Sequence, residues 1–162
     1  MKKYKLYIIL INLVLLLVYF NYSISKQENL LKSGRLILLE LTPVDPRSLI
    51  QGDYMMLRYS ISDSLNINKI PKRGYCVVQL DKNGIAKRVR LQSNTTPLHQ
   101  GEYLIKYFSS DKWNINIGAE SYFFQEGEAD KYEPAKYGGL KLDDNGNSLL
   151  VGLYDAHLKK IE

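Results

Sequence analysis

The sequence predicts a mainly β protein, in which an N-terminal transmembrane helix is followed by a small antiparallel barrel or curled sheet with one short helix. Three observations lead there. Leu6 to Phe20 is apolar or aromatic at every position except Asn12. Beyond it, short runs of residues alternate apolar and polar at the period of a strand. Two Asn-Gly pairs, Asn83-Gly84 and Asn145-Gly146, sit between such runs where hairpins reverse.

The apolar run follows Lys2, Lys3 and Lys5. Extended through Tyr22 it gives roughly 25 Å of helix, which flanking side chains bring up to the ~30 Å hydrocarbon layer. Tyr4, Tyr7, Tyr19 and Tyr22 bracket it at the headgroup levels, and the lysines reach outward to water. Lipid contact is expected through residues 6–22. A cleaved secretory signal is the competing reading, with Ser23-Ile24-Ser25 a weak cleavage site. In either case the remainder is exported, and the anchored form is a single pass of the cytoplasmic membrane with its N-terminus inside. Residues 1–25 form the cytoplasmic tip and anchor, 26–34 a stalk whose Leu30 and Leu31 continue the helix to Gly34, and 35–162 an exported β-rich domain.

Arg35 to Leu41 reads as the first strand, stopped by Thr42-Pro43. Asp53 to Ile61 is a second, with Met55, Leu57, Tyr59 and Ile61 on the core side and Tyr54, Met56, Arg58 and Ser60 outward. After a polar loop with Pro71, Gly74 to Leu80 is a third. Asp81-Lys82-Asn83-Gly84 then predicts a tight two-residue reversal pairing Tyr75–Leu80 with Ile85–Leu91, where Ala86, Arg88 and Arg90 form a charged face. Tyr103 to Phe108 alternates as a strand, Trp113 to Ile117 is a short strand or irregular edge, and Ser121 to Phe124 is a further strand. Glu126 to Glu133 forms one or two helical turns before Pro134. A last hairpin turns at Asp143 to Gly146, between Gly139–Leu142 and Ser148–Tyr154.

Composition excludes several function classes. The net charge is +5, but removing Lys2, Lys3 and Lys5 from the 22 basic residues leaves 19 against 17 acids, a balance of only +2. No clustered basic surface suggests nucleic acid. Cys76 is the single cysteine, so no internal disulfide forms, and its setting predicts a small buried hydrophobe. His99 and His157 stand alone, without ligand-like spacing, and no metal or cofactor is expected. Asp143 and Asp144 lack the periodic oxygens of a calcium loop and read as turn residues. Tyr54, Tyr103, Tyr107, Tyr122, Tyr132 and Tyr137 supply either a binding surface or ordinary strand packing.

The richest stretch is Pro43-Val44-Asp45-Pro46-Arg47 leading to Gly52-Asp53-Tyr54-Met55-Met56-Leu57-Arg58-Tyr59. With the anchor, it closely resembles the bacterial GDYXXLXY family, matching its signature at Gly52, Asp53, Tyr54, Leu57 and Tyr59. Phe123 to Glu133 is similar to the family's later aromatic-then-acidic stretch. The resemblance implies a membrane-anchored, envelope-facing domain, associated with a multi-spanning membrane protein, without an established activity. Read from the residues alone, Gly52 permits a sharp entry, Asp53 accepts amide hydrogen bonds or pairs with Arg47, and Leu57 and Tyr59 pack inward. Alternatively, Arg47, Asp53 and Tyr54 form an exposed patch for a partner.

A second likeness concerns the order of elements. A proline loop, Gly-Asp, a strand, a hairpin and Lys87-Arg88-Val89 resemble type I signal peptidases, in which Lys87 would be the general base. The serine nucleophile is missing, since the matching position is Val44 and Ser48 is misplaced. The leading expectation is therefore a non-enzymatic module that binds or stabilises a multi-spanning membrane protein. A divergent Ser/Lys hydrolase and a small-ligand-binding barrel are the alternatives.

Overall fold

The computed structural model of the chain describes residues 2–42, 54–63, 71–109 and 114–162. It opens with one unbroken helix, α1 (Lys2–Ser33), whose Tyr7–Ser33 portion is long and apolar enough to cross a membrane. Every large apolar side chain from Ile8 to Phe20 is at least half exposed. The helix stops at Gly34, whose N–H donates to the Leu30 carbonyl at 2.9 Å. Leu30 is the helix residue buried against the body, and Lys141 Nζ donates to the Gly34 carbonyl at 2.9 Å, fastening the junction.

Among the described residues eight strands follow, in three antiparallel sheets. β1 (Arg35–Glu40) pairs with β7 (Tyr137–Leu142), which pairs with β8 (Ser148–Tyr154). β4 (Ala86–Gln92) and β5 (Glu102–Phe108) flank β3 (Arg73–Leu80). Between them lies a two-stranded sheet of β2 (Tyr54–Met56) and β6 (Ser121–Phe123). A single helical turn, α2 (Ala129–Tyr132), precedes β7. The body is thus a curled set of sheets, and among the described residues no barrel closes.

The two large sheets share a plan. Each is a hairpin with a third strand added to its first arm, and the turns share a Leu-Asp-x-Asn-Gly pattern with a valine five residues on: Leu80-Asp81-Lys82-Asn83-Gly84 with Val89, and Leu142-Asp143-Asp144-Asn145-Gly146 with Val151. In both turns the aspartate Oδ1 accepts two backbone N–H groups, from Asn83 (2.8 Å) and Ile85 (3.0 Å) or from Asn145 (3.0 Å) and Asn147 (2.8 Å). Gly84 and Gly146 take φ of 79° and 78°, the left-handed region where a side chain is strained. Each of these glycine carbonyls then accepts an N–H from the opposite sheet, Leu38 to Gly84 at 3.0 Å and Lys106 to Gly146 at 2.8 Å. The turns therefore tie the sheets together as well as reversing the chain.

Ile37, Leu39, Cys76, Val78, Ile105, Tyr107, Leu140 and Leu153 form the centre of the core, joined by Met55, Leu57, Tyr59 and Ile61. Burial also pushes the Cys76 thiol up to about 12.

Several elements differ from the sequence expectation. The motif strand is cut short at Met56, and Ser60–Ser62 winds into a 3₁₀ turn instead of extending to Ile61. The predicted inward and outward sets nonetheless hold, with Met55, Leu57, Tyr59 and Ile61 all buried. The Asn-Gly hairpins are not two-residue reversals, because only the glycine adopts positive φ and five residues span the turn. In β4 the charged face is broken by an irregularity opposite Val77/Val78, which leaves Val89 and Lys87 outside while Ala86 is buried. Residues 114–117 are an irregular edge that bridges Phe108 at Asn116 and buries Ile115 and Ile117.

Candidate functional site

The backbone partners of β2 decide where the motif residues point. Tyr54, Met55 and Met56 stand opposite Phe123, Tyr122 and Ser121, so alternation sends Met55 inward and leaves Met56 half exposed. Pairing runs on past the strand, where the Leu57 N–H donates to the Glu120 carbonyl at 2.7 Å. On the other flank Leu41 bridges Tyr59, and the Thr42 N–H donates to the Arg58 carbonyl at 2.8 Å. The motif segment is therefore the seam between β1 and β6.

Tyr59 anchors that seam. Its ring is fully buried and its hydroxyl donates to the Ala119 carbonyl at 2.6 Å. A Cβ on Gly138 would lie 2.8 Å from the ring, so glycine is needed for the close approach of β7. Burial first, and then the nearby Glu120 carboxylate, push the phenol well above its ordinary range, keeping it a neutral donor. Glu120 is itself held, since Oε1 accepts the Ile117 N–H at 2.5 Å.

The chain then bends through the 3₁₀ turn, which Arg88 clasps by donating Nη1 to the Ile61 carbonyl (2.5 Å) and the Asp63 carbonyl (2.9 Å). The Asp63 carboxylate accepts from Thr42 Oγ1 at 3.0 Å and Arg58 Nε at 3.1 Å. Fixed at both ends, the seam presents a rigid outer face. On it the Tyr54 and Phe123 rings meet at 5.7 Å between centroids, tilted by 40°, beside Met56. Phe123 is 73% exposed.

Beside this face runs a groove of about 430 Å³ lined in part by Met56, Tyr59, Ser62, Asn116 and Glu120. Ser62 Oγ is buried there without a hydrogen-bond partner among the described residues. Behind β6, Tyr122 packs against Tyr132 of α2 at 5.1 Å, and Phe124 lies 5.5 Å from the same ring. Burial and the Tyr132 hydroxyl push the Tyr122 phenol up to about 12.

Of the residues singled out in the sequence, Tyr54, Leu57 and Tyr59 are brought into this one seam. Pro43, Asp45, Pro46, Arg47, Gly52 and Asp53 lie outside the described residues, as does the pairing expected between Asp53 and Arg47. Glu133 caps α2 and is exposed, linked to the seam through its neighbour Tyr132. Lys87 stands exposed on β4 opposite Gln79. Tyr107 and Tyr132 are buried and cannot belong to an aromatic surface, because their strand and helical turn face the core. Sequence reasoning missed Arg88, Gly138, Asp63 and Glu120, whose partners are set by tertiary contacts with no local spacing to announce them. Among the described residues no group of His, Cys, Asp or Glu side chains is placed to hold a metal.

The sequence pattern of the family described as GDYXXLXY protein matches residues 16–153. The chain belongs to the GDYXXLXY family. That match takes in the end of the helix, the seam, both Asn-Gly hairpins and almost all of β8, so the GDYXXLXY unit is the whole β body and not the signature alone. No match is found among curated proteins or among solved structures. The likeness to type I signal peptidases rests on element order alone and gains no support from these comparisons.

Proposed function

We propose that this GDYXXLXY protein is a non-enzymatic, membrane-tethered module of the cell envelope that binds or stabilises a multi-spanning membrane protein. In this reading α1 crosses the cytoplasmic membrane once, with Lys2, Lys3 and Lys5 inside, following the bias of cytoplasmic segments toward positive charge. The β body then lies in the periplasm or outside the cell.

The observation that carries the reading is the outer face on which half-buried Tyr54 stands beside exposed Met56 and Phe123, set on a seam whose other side is locked into the core. A rigid aromatic cluster loses little conformational entropy on docking, and such residues anchor interfaces. The adjoining groove adds the polar side chains of Asn116 and Glu120, which suit an extended loop of the partner. An exposed Lys87 favours no hydrolytic reading.

A photocrosslinking amino acid placed at Phe123 of the full chain, in native membranes, tests this. The expected result is a discrete adduct with one multi-spanning protein, absent when the probe sits at the exposed Val89 of β4. Adducts with lipid alone, or equal capture from both positions, would refute it.

A further inference from the structure

Within the apolar run Leu6 to Phe20 the anchor carries one amide, Asn12, that its own helix does not satisfy. Asn21, near the outer end, donates Nδ2 to the Leu17 carbonyl at 2.9 Å, whereas the Asn12 amide is exposed and makes no hydrogen bond among the described residues. Asn12 lies about five residues past Tyr7, hence roughly 8 Å along the axis and inside the hydrocarbon layer. Lipid tails offer neither donor nor acceptor, so the amide needs a partner at the same depth.

An asparagine amide has two donors and an acceptor, and is complementary to itself. An identical helix inserted in the same direction brings a second Asn12 to the same depth with no further requirement, which no unrelated helix guarantees. Ile8, Leu15 and Tyr19 continue the Asn12 face at spacings of three and four residues, the pattern of a helix seam. Leu10, Val14 and Leu17 occupy the opposite side.

From this we infer that α1 is a parallel homodimerisation helix, with Asn12 of one copy hydrogen-bonded to Asn12 of a second copy and Ile8, Leu15 and Tyr19 forming the seam. This rests on the membrane-spanning reading of α1. It adds that the envelope module is presented to its partner in pairs.

The test is oxidative cysteine crosslinking of the full chain in membranes. The native Cys76 is fully buried and forms a silent background. Single cysteines at Ile8, Leu15 and Tyr19 are expected to give a band of twice the chain mass, at least fivefold stronger than cysteines at Leu10, Val14 and Leu17. Asn12→Leu, which only raises the hydropathy of the span, is expected to remove that difference, and Asn12→Gln to restore most of it. Equal crosslinking on both faces, indifference to Asn12→Leu, or a heteromeric band in place of the dimer would each overturn the inference. Extraction with alkaline carbonate separates the two claims. Release into the soluble fraction defeats the membrane reading itself, whereas retention without face-specific dimers defeats only the pairing.

Discussion

Replacing Tyr59 by phenylalanine removes one oxygen from the centre of the seam and tests whether the signature's last tyrosine is structural. The ring stays, so the packing over Gly138 is unchanged, but the Ala119 carbonyl loses the hydroxyl that donates to it at 2.6 Å. A buried carbonyl left without its donor costs about 1–3 kcal/mol, and the middle of that range, about 2 kcal/mol, suits a fully buried tyrosine. With a urea slope of about 2 kcal/mol per molar, the unfolding midpoint falls by about 1 M. The assay is urea denaturation of the full chain in detergent, followed by near-ultraviolet circular dichroism. Tyr107→Phe is the internal control. Its hydroxyl is buried without a hydrogen-bond partner among the described residues, so its removal is expected to leave the midpoint unchanged or raise it. If both variants lose the same stability, or if Tyr59→Phe costs nothing, the seam is not held as described.

Three further outcomes follow from the same geometry. Leu158 adopts a φ of 62° at the place where the two hairpin turns carry glycine, so Leu158→Gly is expected to stabilise the protein by about 0.5–1 kcal/mol in the same denaturation assay. Arg90 donates to both Glu102 oxygens, at 2.5 and 2.7 Å, and His99 adds its backbone N–H, which together hold the Glu102 carboxyl at about 2, below the ordinary carboxylate value of 4.5. Because the folded value is depressed, that stabilisation is complete above about pH 4.5 and is lost as pH falls toward 2. Glu102→Gln should flatten this part of the pH–stability curve. At the alkaline end the raised Cys76, Tyr59 and Tyr122 values act with the opposite sign, so stability is whole below about pH 9 and falls as pH rises, visible as phenolate absorbance appearing together with unfolding.

Much of the architecture was legible because local chemistry decides it. The apolar run, the period-two strands, the single turn before Pro134 and both Asn-Gly hairpins all depend on residues within one element. The rest depends on distant contacts. The motif strand ends early because Arg88 draws the Ile61 and Asp63 carbonyls into a turn, an interaction between residues far apart in sequence. The β4 face changes because an irregularity at Val89 shifts the alternation. A third turn of the same construction, Asp155 to Lys159, was invisible. Asp155 Oδ1 accepts the His157 and Lys159 N–H groups as the other turn aspartates do, but Leu158 stands where glycine would have signalled it. In the candidate site, Tyr54, Leu57 and Tyr59 were read from the motif, while Phe123's role as Tyr54's neighbour needed the β2–β6 register.

The central claim, a β body carried beyond the cytoplasmic membrane on one helix, is tested most directly by labelling with a membrane-impermeant maleimide. Cysteines are placed at Lys5, ahead of the span, and at Lys82, in the exposed first hairpin turn. In cells with a permeabilised outer envelope and an intact cytoplasmic membrane, Lys82→Cys should label fully and Lys5→Cys only after lysis. The reverse pattern, or protection of both positions until lysis, would contradict the account.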